Sequence, residues 1–150
     1  MTHLRKTIRD AAATAVTGLA TTSTRVYKSR NLPLVAAEFP CVLVFARSDS
    51  PDYEGAAFSG GVAYPVRSLE LHVQGYAKDT DSSAIEDTLD TIAEEVETAI
   101  FDAAFTGALG VRLGGQSISV DASGDETLGV VDMVFVVLYR TAEGTPGTAF

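Results

Sequence analysis

A chain of 150 residues with 46% hydrophobic and 21% charged residues is long enough for one domain with a substantial core. Its net charge of −9 argues against a nucleic-acid-binding surface, which needs clustered lysine and arginine. The single cysteine, Cys41, excludes an intrachain disulfide, and no apolar run approaches the ~20 residues of a membrane span. Because charges interrupt the apolar stretch of "MTHLRKTIRDAAATAV", we expect no signal peptide.

The chain opens with a predicted amphipathic helix. Apolar residues recur at helical spacing over 3–18, with Thr2 as the expected cap and Gly18 as the expected end. A short extended pattern follows over 24–30, and we expect a short strand there.

Two longer strands come next. The segment "FPCVLVFAR" (39–47) is apolar on both faces, which predicts a strand in the middle of a sheet. The segment "VRSLELHVQGYA" (66–77) alternates between apolar and polar residues, as a strand with one buried face does. Between them, "SDSPDYEGAAFSGGVAYP" (48–65) reads as a long loop, and loops of this length are often functional.

The second half predicts a helix and two more strands. Ser83 and Glu86 have the spacing of a capping box, and an apolar stripe over 83–104 lies opposite a strongly acidic face. A weaker strand over 111–123 contains two adjacent glycines, which indicate a bulge or bend. The strongest strand pattern covers 128–141.

These elements predict a single α+β domain over 1–141, followed by a flexible tail over 142–150. We expect a two-layer sandwich, with two helices packed on one face of a four- to five-stranded, mostly antiparallel sheet. Two helices can cover only one face, yet the last strand is apolar on both. Val134, Val136 and Leu138 on its second face therefore need another cover, either the loop or a neighbouring subunit.

No pattern in the chain predicts catalysis, a metal site or a cofactor site. His72 lies on the polar side of a strand without a second histidine in reach, and Cys41 lies inside an apolar strand. The acidic segments 79–81 and 121–126 do not have the spacing of a calcium loop and are typical of turns. We therefore expect a protein that is not an enzyme and has no cofactor.

The order of these elements resembles that of phage tail terminator proteins, the minor tail protein U family of lambda-like siphophages. The likeness rests on four segments in order: "LRKTIRDAAATAVTGL", "RVYKSRNLPLVAAEFPCVLVFA", "SLELHVQGYAKDTDSSAIEDTLDTIAEEVETAI" and "LGVVDMVFVVLYRT". The resemblance implies a subunit of a hexameric ring at the head-proximal end of the tail. That ring stops polymerisation of the tail tube protein and provides the surface that joins the head.

The resemblance also implies partners and a location. The partners are further copies of the chain, the tail tube protein and connector or neck proteins, and DNA passes through the lumen without specific binding. No membrane is involved, and the protein is found in the virion tail after assembly in the host cytoplasm. The net charge of −9 suits a lumen that lets DNA pass without holding it.

Candidate interface residues fall into three groups. The loop either extends the hairpin and packs on the next subunit or docks on the tube or connector, and it offers aromatic side chains for that contact, namely Tyr53, Phe58 and Tyr64. The open sheet face offers Val134, Val136 and Leu138. Basic residues of the first helix are candidates to pair with acidic residues of the second helix in the adjacent subunit, namely Arg5, Lys6 and Arg9 with Asp90, Glu94 and Glu97. Ordinary solvent exposure is an equal alternative for these charges, because surface ion pairs contribute little.

Two other functions stay open. One is another head–tail completion or neck protein, and the other is a cellular ligand-binding α+β module with a pocket between sheet and helices.

Overall fold

The computed structural model describes residues 2–29, 35–122 and 124–150. The elements in chain order are α1 (Leu4–Ala15), β1 (Val26–Lys28), a 3₁₀ turn (Ala36–Glu38), β2 (Cys41–Ser59), β3 (Val62–Asp79), α2 (Ser82–Asp102), β4 (Ala108–Asp121) and β5 (Thr127–Arg140). The five strands form one sheet in the order β1-β2-β3-β5-β4. Strand β1 is parallel to β2, and all other neighbours are antiparallel. The predicted α+β sandwich, with two helices on one face of the sheet, is confirmed.

The core lies between this face and the two helices. Strand β5 alternates strictly, and every second residue from Val131 to Tyr139 is buried against the helices. The apolar stripe of α2 supplies the opposing side chains, namely Ile85, Leu89, Ile92, Ala93, Val96 and Ile100. Side chains therefore fill the space between sheet and helices in the described part of the chain, where a ligand-binding module would place its pocket.

Two glycines let α2 lie close to the sheet. A Cβ atom added to Gly75 would stand 2.5 Å from Ile92 Cγ2 and 2.9 Å from Val131 Cγ1. One added to Gly129 would overlap Ile85 Cγ2. A larger residue at either position would force the helix away from β3 and β5.

Helix α1 is shorter than the predicted 3–18. It begins after His3, rather than after Thr2, because the imidazole Nδ1 of His3 accepts a first-turn backbone N–H at 3.1 Å. It ends at Ala15, before Gly18.

Helix α2 also starts from a different cap. The carboxylate of Asp81 accepts the backbone N–H of Ser83 at 3.0 Å, so Asp81, and not Ser83 with Glu86, caps the helix.

The strands differ most from prediction between β2 and β3. The predicted long loop over 48–65 is wrong, since both strands continue through it and meet at a turn of Gly60 and Gly61, each with positive φ. The register between β2 and β3 shifts between Asp52 and Ala57, where Gly55 adopts φ 77°. This irregularity interrupts the alternation of side chains between the two faces, which is the pattern that would have predicted a strand. The bend expected in β4 is confirmed as a register shift between Leu113 and Gly115. Residue 30 of the strand expected over 24–30, and residue 123 of that expected over 111–123, lie outside the described residues.

Candidate assembly interface

The outer part of the β2–β3 hairpin, residues 50–66, forms an arm. Strand β5 pairs with β3 only as far as Val66, opposite Arg140, so the arm continues beyond the C-terminal end of β5. Phe58 is 71% exposed and Tyr53 is 51% exposed. The Tyr53 hydroxyl donates to Glu143 Oε1 at 2.6 Å, and this hydrogen bond raises the pKa of Tyr53. Phe58 is therefore the large apolar side chain that the arm presents most fully to solvent.

The segment 142–150 runs beside the arm. The backbone N–H of Glu143 donates to the Ala63 carbonyl at 3.0 Å. The ring of Phe150 lies 4.1 Å from that of Tyr64, which is half-buried as a result. The flexibility predicted for this segment stays a prediction, and these contacts define where it docks on the arm.

A buried polar network fixes the base of the arm. Arg67 donates to both carboxylate oxygens of Asp49, with Nε–Oδ1 at 3.1 Å and Nη2–Oδ2 at 2.9 Å. The Tyr139 hydroxyl donates to Asp49 Oδ2 at 2.6 Å, and the Arg67 guanidinium lies 5.7 Å from the centre of the Tyr139 ring. Burial, and then the bond to Asp49, raise the pKa of Tyr139 well above its ordinary value. The hydrogen bonds that Arg67 itself donates to Asp49 raise the pKa of Arg67.

This network joins strands β2, β3 and β5 at one point. The network was not predicted from the sequence, because Asp49 fell within the predicted loop. A usable signal was present, since Asp49 and Arg67 are opposite charges on the two sides of the Gly60–Gly61 turn.

The second face of the sheet carries the predicted apolar stripe. Val134, Val136 and Leu138 alternate with the core residues of β5 and are half-buried. Both helices pack on the opposite face, so neither helix covers this stripe.

Beside the stripe lies a polar cluster. His72 Nδ1 is 3.1 Å from Asp132 Oδ1, and the His72 ring stacks on Phe45 at 5.1 Å between centroids and 7° between planes. Arg47 lies over the Phe45 ring, with its guanidinium carbon 5.0 Å from the ring centroid. These contacts hold the His72 ring on the open face of the sheet, between Asp132 and Phe45.

The charged residues named from sequence lie on different elements. Arg5 and Glu94 are exposed, and Glu97 is half-buried. Arg9 Nη2 lies 3.5 Å from Asp10, so part of its charge is compensated within α1. Among the described residues, no ion pair joins the named residues of α1 to those of α2, and their pairing between subunits stays a prediction.

A surface groove lies where α2 ends and β4 begins. It has a volume of about 290 Å³ and is lined by residues with apolar side chains, among them Ile100, Phe101, Phe105, Ala108, Leu109 and Val111. Leu109 is 58% exposed and Phe101 is 49% exposed. This groove was not predicted from the sequence, because Leu109 lies in the segment between two predicted elements.

Within residues 2–29, 35–122 and 124–150, no group of three or more His, Cys, Asp or Glu residues is placed to hold a metal ion. Cys41 is fully buried, as its apolar strand predicted. In the described part of the chain, neither helix combines the length and apolar character needed to cross a membrane.

Comparison with known proteins supports the fold. No protein-family model matches the chain, and no curated protein matches it. Among solved structures, a chain of "Virion of native gene transfer agent (GTA) particle" is similar, with a TM-score of 0.50 and 15% sequence identity. The match covers 93% of this chain and 92% of that chain. With 15% sequence identity, the match shows a shared fold, and it does so over nearly the whole length of both chains.

Proposed function

We propose that this chain is a structural virion protein of a tailed phage or phage-like particle. In this role it forms a ring at the head-proximal end of the tail tube, ends tube growth and provides the head-joining surface. The observation that carries the proposal is the fold shared over 93% of the chain with a protein of a gene transfer agent virion. The sequence resemblance to tail terminators points in the same direction.

The surfaces of the chain fit a protein whose function is assembly. Three apolar regions are left uncovered by its own helices: the arm with Phe58, the stripe around Val136, and the groove around Leu109. Exposed apolar regions of this kind usually mark interfaces. They lie on different parts of the molecule, which favours contacts with more than one neighbour. The proposed partners are further copies of the chain, the tail tube protein and the connector or neck proteins.

The charge suits a ring around DNA. A net charge of −9 makes a lumen repel the phosphate backbone, so that DNA passes without being held. The role is structural and needs no catalytic group.

Tail tubes assembled with and without the protein test this function. We expect electron microscopy to show tubes of uniform length only when the protein is present, with a ring at one end. The variant Val35→Asp, at an exposed apolar position outside the three regions, serves as the matched control and should act as the wild type does. Tubes of unchanged, variable length would contradict termination. If the protein nevertheless bound between head and tail, a neck function would replace it.

A further inference from the structure

We infer that the arm of one copy docks into the groove at the α2–β4 junction of a second copy, with Phe58 as the inserted side chain. This inference rests on the proposed ring and names the contact that builds it. The chain itself supplies both halves of the contact, a projecting aromatic side chain and an apolar groove.

The two halves differ in shape and complement each other. Phe58 is 71% exposed near the end of the arm, only two residues before the glycine turn. The groove, of about 290 Å³, is lined by Phe101 and Leu109, which are themselves about half exposed. Insertion of a phenyl ring would remove all three side chains from water, and aromatic side chains seated in pockets are frequent anchors of interfaces.

The positions of the two halves favour a head-to-tail contact. The arm extends from β2 and the central strand β3, and the groove lies against β4, the edge strand two positions away from β3. A contact between two different patches is heterologous, and repeated heterologous contacts close into a ring when the rotation allows it. A twofold dimer would need the same patch on both copies.

The faces of the sheet match across this contact. Phe58 pairs with Ala63, which lies on the helix side of the sheet together with Leu69. The groove is on the same side, since its residue Val111 pairs with the core residue Val137.

Charges on the opposite, open face match as well. Asp52 of the arm is exposed and pairs with Val66 on the open face. Arg112 of β4 is exposed and pairs with Val136 on that face, next to the groove residue Val111. If the sheet direction continues from one copy to the next, Phe58 faces the groove while Asp52 faces Arg112. This agreement of apolar and charged partners on matching faces favours a second copy as the occupant.

Mixing two defective variants tests the inference with the purified protein alone. Phe58→Asp removes the inserted ring and leaves the groove, whereas Leu109→Asp blocks the groove and leaves the arm. By analytical ultracentrifugation, each variant should be monomeric at concentrations where the wild type forms its oligomer. An equimolar mixture should form a heterodimer and nothing larger, because only one competent arm and one competent groove can meet.

Controls separate loss of the contact from loss of the fold. Both side chains are more than half exposed, so thermal unfolding followed by circular dichroism should match the wild type. Phe101→Gln alters the groove from α2 and leaves the edge strand β4 unchanged. It should abolish the oligomer as Leu109→Asp does, which would show that Leu109→Asp acts through the groove and not by disturbing β4. Val35→Asp should leave the oligomer unchanged. The charge pairing predicts that Asp52→Arg and Arg112→Asp each weaken assembly and that together they restore it.

Three results would overturn the inference: a wild type that stays monomeric at all concentrations, a Phe58→Asp variant with the wild-type oligomer, or a mixture that yields full rings. A charge double variant that is weaker than both single variants would overturn the Asp52–Arg112 pairing. The tube-length experiment is independent of these. If the wild type forms rings that have no effect on tube length, the arm contact holds and the proposed termination is contradicted. If Phe58→Asp still forms rings that control tube length, termination holds and the arm contact is contradicted.

Discussion

Removal of the Asp49 carboxylate should destabilise the whole domain, because that group holds the base of the arm. Asp49 is 5% exposed at its side chain and accepts three hydrogen bonds from Arg67 and Tyr139. In Asp49→Ala the Arg67 guanidinium, only 22% exposed, loses its counter-charge, and the buried Tyr139 hydroxyl loses its acceptor. Loss of one partner of a buried ion pair costs about 3–5 kcal/mol, and an unsatisfied hydroxyl about 1–3 kcal/mol.

The two costs overlap, since both arise from one carboxylate, and Arg67 recovers some hydration. We therefore expect Asp49→Ala to lower the free energy of unfolding by about 3 kcal/mol. Urea unfolding followed by circular dichroism measures this as a lower midpoint with an unchanged slope. Limited proteolysis should also become faster within the arm, residues 50–66, than in the rest of the chain.

The matched control is Asp52→Ala, an exposed carboxylate on the same strand, which should change stability by less than about 0.5 kcal/mol. The conservative variant Asp49→Asn keeps an acceptor and should lose less than Asp49→Ala. A loss below about 1 kcal/mol in Asp49→Ala would refute the view that the network holds the arm.

Three further predictions address the core, the network and the open face. Gly129→Ala should lower the free energy of unfolding by about 1–3 kcal/mol in urea, because the added methyl group overlaps Ile85. The control Gly115→Ala, with nothing within 4 Å of the added atom, should lower it by less than about 0.5 kcal/mol. Equal losses in the two variants would contradict the close helix–sheet contact. Because the pKa of Tyr139 is raised in the folded protein, its stabilising effect is present below the ordinary tyrosine pKa of about 10 and is lost as pH rises from that value towards the raised one. Between about pH 9 and pH 11 the wild type should therefore lose more free energy of unfolding than Tyr139→Phe. Parallel plots of unfolding free energy against pH for the two proteins would contradict this prediction. Val136→Asp, on the half-buried open face, should leave the monomer folded by circular dichroism but weaken assembly in sedimentation, and an unfolded monomer would instead make this face part of the core.

The helix–sheet layer of the fold could be predicted from sequence because its patterns are strong. The β5 segment is a long run of mostly β-branched and aromatic residues, and α2 has a continuous apolar stripe against an acidic face. The first pattern indicates a strand within a sheet and the second a helix with one buried side, so element type and fold class followed. The helix caps were harder, because His3 and Asp81 compete with nearby Ser and Thr residues for the same backbone N–H groups.

The arm could not be predicted for a different reason. Its residues from Gly55 to Gly61 are mostly small and have low intrinsic strand propensity. They are extended because β3 pairs with them across the hairpin, and this cross-strand partner is not visible in a local pattern. The groove was missed for a related reason, since it exists only where Leu109, near the start of β4, meets the end of α2.

The contrast between the two ends of the arm bears on how an assembly protein of this kind would work. At the base, Asp49, Arg67 and Tyr139 are nearly closed to solvent and bind one another directly. Near the tip, Phe58 is exposed and lies beside a glycine turn. A side chain that is held out on a fixed base loses less conformational freedom on docking than one on a flexible loop, so more of the apolar contact energy is available for association. A rigid base would also hold the angle between successive copies constant, and a constant angle is what lets a heterologous contact close into a ring rather than continue as a filament.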